Sequence, residues 1–169
     1  MDATALRAMQ APLKERYKGD PKSAFITLRA KGTLDDAHIA CKVETGRALA
    51  VAGLHPATGG SGLELCSGDM LLEALVACAG VTLKAVSTAL DVPLKSAKVS
   101  AEGDLDFRGT LGVVKDAPVG FAAIRLRFEV ETNAPQDKLD QLLKLTERYC
   151  VVYQTIRSGP PVDIRLTRA

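Results

Sequence analysis

Four cysteines, Cys41, Cys66, Cys78 and Cys150, are the residues of this 169-residue chain whose chemistry is most versatile. A thiolate is a nucleophile, a metal ligand and a redox centre, and each of these uses demands different companions. No two of the four form a CxxC pair, and only two histidines, His38 and His55, accompany them. A zinc site is therefore not expected. His38 and Cys41 stand three residues apart in a stretch that reads as a strand, where that spacing puts them on opposite faces. The run Gly59-Gly60-Ser61-Gly62 lacks the Lys-Ser/Thr of a phosphate-binding loop and reads instead as a place where backbone approaches backbone closely. His55, before Pro56, reads as a turn residue near the entrance to any site there. What remains for the sulfurs is thiol redox chemistry or plain core packing.

The element that must position them is the stretch from Asp69 to Leu90, rich in Ala and Leu and ended by Asp91-Val92-Pro93. Its only charged residues after Asp69 are Glu73 and Lys84, so it is expected to be one long buried helix, capped at its start by Ser67 or Asp69, with most of its circumference covered by protein. Those two charges and the glycine-rich polar loop before it argue against a membrane span. Cys78 sits near its centre. A cysteine there behaves by default as a small hydrophobe. An apolar surrounding raises a thiol pKa, and mid-helix is too far from the helix's own N-terminus for help from the dipole. A reactive Cys78 would need a cation brought from elsewhere.

Around this helix the pattern alternates between elements. Residues Ala3 to Tyr17 place Leu6, Met9 and Leu13 at helical spacing, an N-terminal helical extension over residues 1–20. Ala24–Ala30, His38–Val43 and Ala48–Ala52 read as a three-stranded antiparallel meander, with Cys41 inside it. Ala97–Phe107 and Ala122–Glu131 alternate over longer strands, joined by a glycine-rich surface linker. Asn133-Ala134-Pro135 opens a helix running to about Tyr149, with Leu139, Leu142, Leu143 and Thr146 on its inner face and Cys150 continuing that stripe. Val162–Leu166 reads as a closing strand. The class is α+β, in a single domain over residues 1–169.

Hydrophobic residues make up 47% of the chain and charged residues 25%, while aromatic residues make up only 4% with no Trp, so the core is aliphatic. The net charge of +2 is spread among Lys, Arg, Asp and Glu, which argues against nucleic acid or an anionic membrane as partner. The opening Met1-Asp2-Ala3-Thr4 carries an acid and no apolar run, unlike a secretory signal, so a cytoplasmic location is expected. In that reducing compartment structural disulfides are disfavoured.

Three stretches together carry a family resemblance: Gly59-Gly60 followed by Ser67-Gly68-Asp69-Met70-Leu71-Leu72-Glu73-Ala74-Leu75-Val76-Ala77-Cys78; Gly103-Asp104-Leu105-Asp106-Phe107-Arg108-Gly109; and Arg148-Tyr149-Cys150-Val151-Val152. From about Ala24 onward the chain resembles the OsmC/Ohr family, the osmotically inducible and organic-hydroperoxide-resistance proteins. The resemblance implies antiparallel sheets packed around a long central helix in an intertwined homodimer. It implies a thiol peroxidase that reduces organic hydroperoxides, with Cys78 as the reactive and Cys150 as the resolving cysteine, an external dithiol as reductant, and no cofactor or metal. Family peroxidases complete the site with a carboxylate near the start of the central helix, here Asp69 or Glu73, and an arginine near the first strands, here Arg29 or Arg47. The second cysteine is often followed by Pro, where this chain has Val151. The alternatives of another class are a non-enzymatic dimeric binder of a small apolar ligand, or a thiol redox sensor.

Overall fold

The computed structural model describes residues 2–20, 31–34, 40–44, 49–112 and 115–168. Helix α1 spans Ala3–Gly19 and packs against the central helix, with Leu6 buried. Strands β1 (Lys31–Leu34), β2 (Ala40–Glu44) and β3 (Leu49–Gly53) form an antiparallel meander, and the two-residue β4 (Leu65–Cys66) joins β3 in parallel. The described part of the meander's first strand follows the stretch expected from the sequence. The expected Ala24–Ala30 lies outside the described residues, as does His38, and the strand that pairs with β2 is Lys31–Leu34, with Gly32 opposite Val43.

Between β3 and β4 the chain makes one tight 3₁₀ turn, Pro56–Thr58, capped by His55, whose Nδ1 accepts the Ala57 N–H at 3.0 Å. The glycines after it are there for space. A Cβ at Gly60 would lie 1.7 Å from the Leu54 carbonyl oxygen, and Gly59 closes the turn in the left-handed region at φ 91°.

Helix α2 spans Ser67–Ala89. It is long and apolar enough to cross a membrane by length and composition, yet in this chain it is the core helix, packed against β5, α4 and α5. Its N-cap is Cys66, without a side-chain capping bond, in place of the expected Ser67 or Asp69. Ser67 is already the first helical residue, so its hydroxyl stands one position too late to cap. The turn that ends the helix places Asp91 at φ 54°.

Strands β5 (Ser96–Asp104) and β6 (Ala123–Glu131) pair antiparallel along their whole length, Ser96 opposite Glu131 and Asp104 opposite Ala123. Their alternation follows the pleat. Val99 and Ala101 with Ile124, Leu126, Phe128 and Val130 face the helices. The outer face is a solvated charge lattice in which Arg125 binds Glu102 at 3.1 Å and holds both oxygens of Asp104. The linker between these strands carries one helical turn, α3 (Phe107–Thr110), capped by Asp106.

Helix α4 spans Gln136–Tyr149 and α5 spans Val151–Ser158. On α4, Leu142 and Thr146 are buried as expected, while Leu143 turns outward. Leu83, Val86, Val92 and Leu142 form one buried cluster, and Leu75, Ala79 and Cys150 form another. Beyond α5 the expected closing strand is not formed. Residues 159–168 pair with no described strand, and Val162, Ile164 and Leu166 are 78%, 88% and 101% exposed. A strand needs an edge to pair with, and the described residues bring none to this segment.

Candidate active site

Cys78 and Cys150 meet where the middle of α2 crosses the junction of α4 and α5. The junction is a break, and this departs from the expectation of a single stripe continuing through Cys150. Cys150 adopts φ −73° and ψ 105°, extended backbone that both ends α4 and begins α5. Its N–H donates to the Thr146 carbonyl and its carbonyl accepts the Gln154 N–H, both at 3.0 Å. The side chain is 1% exposed, packed with Leu75 and Ala79 and flanked by Val99, Leu126 and Ile156.

A helix start leaves its first N–H groups without intrahelical acceptors. Here the sulfurs take them. Burial pushes the Cys78 thiol up, but the Val152 N–H, the Cys150 thiol and the Val151 N–H all bond its sulfur and hold it below the ordinary 9.0. The Thr82 hydroxyl, which donates to the Cys78 carbonyl at 2.8 Å, adds the smallest contribution. Cys150 goes the other way. Burial raises it first, the Tyr153 and Val152 N–H groups offset part of that, and the neighbouring Cys78 sulfur raises it further. The pair is therefore polarised: Cys78 is the sulfur that loses its proton more readily, and Cys150 is the one that keeps its proton and shares it in a hydrogen bond with Cys78.

This arrangement eases the electrostatic difficulty of a mid-helix cysteine by a route that the sequence does not announce. Among the described residues, the positive end that reaches Cys78 belongs to a second helix, α5, whose first backbone N–H groups bond the sulfur. The sequence signal for the break was faint, since neither Gly nor Pro interrupts Tyr149-Cys150-Val151-Val152.

The other expected site residues lie elsewhere. Asp69 is in the first turn of α2, exposed, and nine residues before Cys78. At 1.5 Å and 100° per residue that is about 13 Å along the axis and half a turn around it. Glu73, also exposed, is five residues before Cys78 and well round from it. Within one chain the structure brings neither carboxylate to the sulfur pair. Arg29 and Arg47 lie outside the described residues. Cys41 is on β2, and Cys66 is at the head of α2. Among the described residues no group of three His, Cys, Asp or Glu side chains is placed to hold a metal ion.

A cavity of about 640 Å³ adjoins the Cys150 cluster and shares its Leu75, Ile124, Leu126, Phe128, Tyr153 and Ile156. Its walls are chiefly aliphatic, with Asp140, Glu147 and Arg157 at its border.

Comparison with known proteins bears on the same elements. The family model of OsmC-like proteins matches residues 60–165, from the loop before α2 to the extended tail. No curated protein matches the sequence. An OsmC-like protein from Mycoplasma pneumoniae superposes with a TM-score of 0.65 at 13% identity, covering 79% of this chain and 89% of its own. An organic hydroperoxide resistance protein OsmC from Legionella pneumophila gives 0.62 at 17% identity, covering 80% and 93%. The organic hydroperoxide resistance protein OhrB of Bacillus subtilis gives 0.52 at 17% identity, covering 78% and 93%. These likenesses establish a shared fold. With more than half of its length matched by the family model, the chain belongs to the OsmC-like protein family.

Proposed function

We propose that this chain is a thiol peroxidase that reduces organic hydroperoxides, with Cys78 as nucleophile and Cys150 as resolving thiol. The observation that carries the reading is the opposite displacement of the two thiols, Cys78 below and Cys150 above the ordinary value, within one hydrogen-bonded pair. The Cys78 thiolate attacks the terminal oxygen of the hydroperoxide. The O–O bond breaks, the alkoxide leaves and takes a proton to become the alcohol, and Cys78 is left as a sulfenic acid. The Cys150 sulfur then attacks Cys78, an S–S bond forms, and the hydroxide leaves with a proton as water. An external dithiol returns both sulfurs to the thiol state. Sulfur carries both electrons throughout, so the cycle calls on no metal, flavin or haem, and its dependence on a dithiol suits the reducing cytoplasm.

The same reading includes a homodimer. In one chain α2 buries Leu75, Ala79, Leu83 and Val86, but its opposite stripe is left open, with Leu71, Ala74 and Ala77 exposed and Val81 72% exposed. The tail's Val162, Ile164 and Leu166 are uncovered as well. A second copy laid on these surfaces covers them. It is also the route by which Asp69 or Glu73, and Arg29 or Arg47, complete the expected site.

A second reading, a non-enzymatic binder of a small apolar ligand, is favoured by the aliphatic cavity beside Cys150. One experiment separates the two. Reduced protein is mixed with one equivalent of cumene hydroperoxide and its thiols are counted by mass spectrometry. The peroxidase loses two thiols within seconds, gives a Cys78–Cys150 peptide, and loses the reaction in Cys78→Ser. Slow, unselective oxidation assigns the chain to the binder reading.

A further inference from the structure

The cavity of about 640 Å³ beside the Cys150 cluster is a space the fold itself leaves unfilled. Four elements wall it, the inner face of β6 and one side each of α2, α4 and α5. Ile124, Leu126, Phe128 and Val130 line it from β6, and each stays half-buried although the pleat turns it toward the helices. A space of this size is no packing void of a close-packed core and has the dimensions of a small-molecule site. We propose that it is an effector site that binds an uncharged aliphatic alcohol, and that its occupancy is coupled to whether Cys78 and Cys150 are thiols or a disulfide.

The border of the cavity selects the head group of the guest. Asp140 accepts the Gln136 amide at 2.8 Å, whereas among the described residues the Glu147 carboxylate and the Arg157 guanidinium have no hydrogen-bond or ion-pair partner. An anionic head group meets two carboxylates here, and a cationic one meets Arg157. A hydroxyl suits both signs, because it accepts from the guanidinium and donates to a carboxylate. Behind that border the walls are aliphatic apart from the rings of Phe128 and Tyr153, so the rest of the guest is hydrocarbon.

The coupling follows from shared walls. Leu75, Tyr153 and Ile156 pack with Cys150 and also line the cavity, and the Tyr153 N–H bonds the Cys150 sulfur. Closing the disulfide brings the two sulfurs from hydrogen-bond contact into covalent contact. A close-packed cluster passes such a shift on to its neighbours, and the cavity is the free space that takes it up. A guest filling that space resists the shift, so it binds the dithiol form more tightly and, by linkage, favours that form of the pair.

The binding stands on the cavity alone, while the coupling rests on the reading of Cys78 and Cys150 as a redox pair. Diamide separates the two in the test, because it makes the disulfide without any peroxidase activity: the two thiols give up two electrons and two protons, and diamide becomes the hydrazine.

The full-length reduced chain is titrated with the uncharged fluorophore N-phenylnaphthylamine, which is then displaced by decanol or by decanoate. Decanol is expected to bind about tenfold or more tighter than decanoate, the scale of one unfavourable charge at the border. Leu143 lines the cavity and is 45% exposed, so Leu143→Trp keeps the fold, occupies the space and should weaken both fluorophore and decanol about tenfold. After diamide treatment, with the Cys78–Cys150 peptide verified by mass spectrometry, decanol should bind about fivefold more weakly than to the reduced chain. Decanoate binding as tightly as decanol, affinity unchanged in Leu143→Trp, or a fluorophore site that is lost as protein concentration rises and a second copy takes the space, would overturn the site. Equal decanol affinity for the two redox forms would overturn the coupling. Failure of the Cys78–Cys150 peptide to form overturns the redox pair and the coupling together, and is seen in the peptide map rather than in the binding curve.

Discussion

Two stripes of the same helix make the most instructive comparison in this molecule. Leu75, Ala79, Leu83 and Val86 are buried under β5, β6, α4 and α5, whereas Leu71, Ala74, Ala77 and Val81, equally apolar and on the same 23 residues, face outward. Composition marks both stripes for burial and does not say what covers them. Cys78 lies on the boundary, half-buried, with its sulfur turned toward the start of α5. The covered stripe supplies the packing that fixes the sulfur pair, and the open stripe leaves one side of Cys78 to whatever approaches from outside the chain.

The largest expected effect tests the covered stripe. Leu75 is 2% exposed in the cluster around Cys150, so Leu75→Ala should cost about 2–5 kcal/mol by chemical denaturation, against under about 0.5 kcal/mol for the half-exposed Leu71→Ala in the dissociated chain. Equal costs would erase the distinction between the stripes. Next comes the open stripe. Val81→Glu puts a charge on the surface proposed to meet a second copy, and self-association measured by light scattering should weaken about tenfold or more, about 1.4 kcal/mol or greater. A wild-type chain that runs as a monomer, or a variant that associates unchanged, would break the dimer reading.

The boundary itself is probed by pH. Because Cys78 is held below 9.0, its alkylation by iodoacetamide should reach its plateau at lower pH than that of the unfolded chain. Cys150→Ala deletes one of the bonds to the Cys78 sulfur, so the midpoint should move up and the rate at neutral pH should fall several-fold. A midpoint unchanged in that variant would show that the two sulfurs do not share a proton.

The smallest effect is the most specific. Val151 is the first residue of α5 and its N–H bonds the Cys78 sulfur. Val151→Pro suits a first helical position, and the extended Cys150 before it tolerates a following proline. The fold should persist with stability changed by less than about 1 kcal/mol, while the Cys78 midpoint rises by a smaller step than in Cys150→Ala.

Much of the framework was legible because its signals are periodic and local. The apolar run from Asp69 and its stop before Pro93 gave the central helix to within two residues, and the alternation of Ile124, Leu126, Phe128 and Val130 gave β6 and its inner face. The features that were not legible depend on partners distant in sequence. Nothing in Tyr149-Cys150-Val151-Val152 announces a break, because Cys150 is held extended by burial against Leu75 and Ala79. Cys66 displaced Ser67 as the N-cap because pairing with Gly53 fixes β4 up to that residue. The start of α5 as a source of positive potential at Cys78 could be recognised only after the break was known, whereas Arg29 and Arg47 lie outside the described residues.

The exposed segment after α5 has a consequence for how the chain behaves at high concentration. Val162, Ile164 and Leu166 alternate with Asp163 and Arg165 on an uncoiled segment whose backbone groups pair with nothing in the described chain, the pattern of a strand ready to add itself to any edge it meets. An isolated copy is thus sticky along this segment, and the concentration of like chains, as much as the stability of the core, sets its tendency to aggregate.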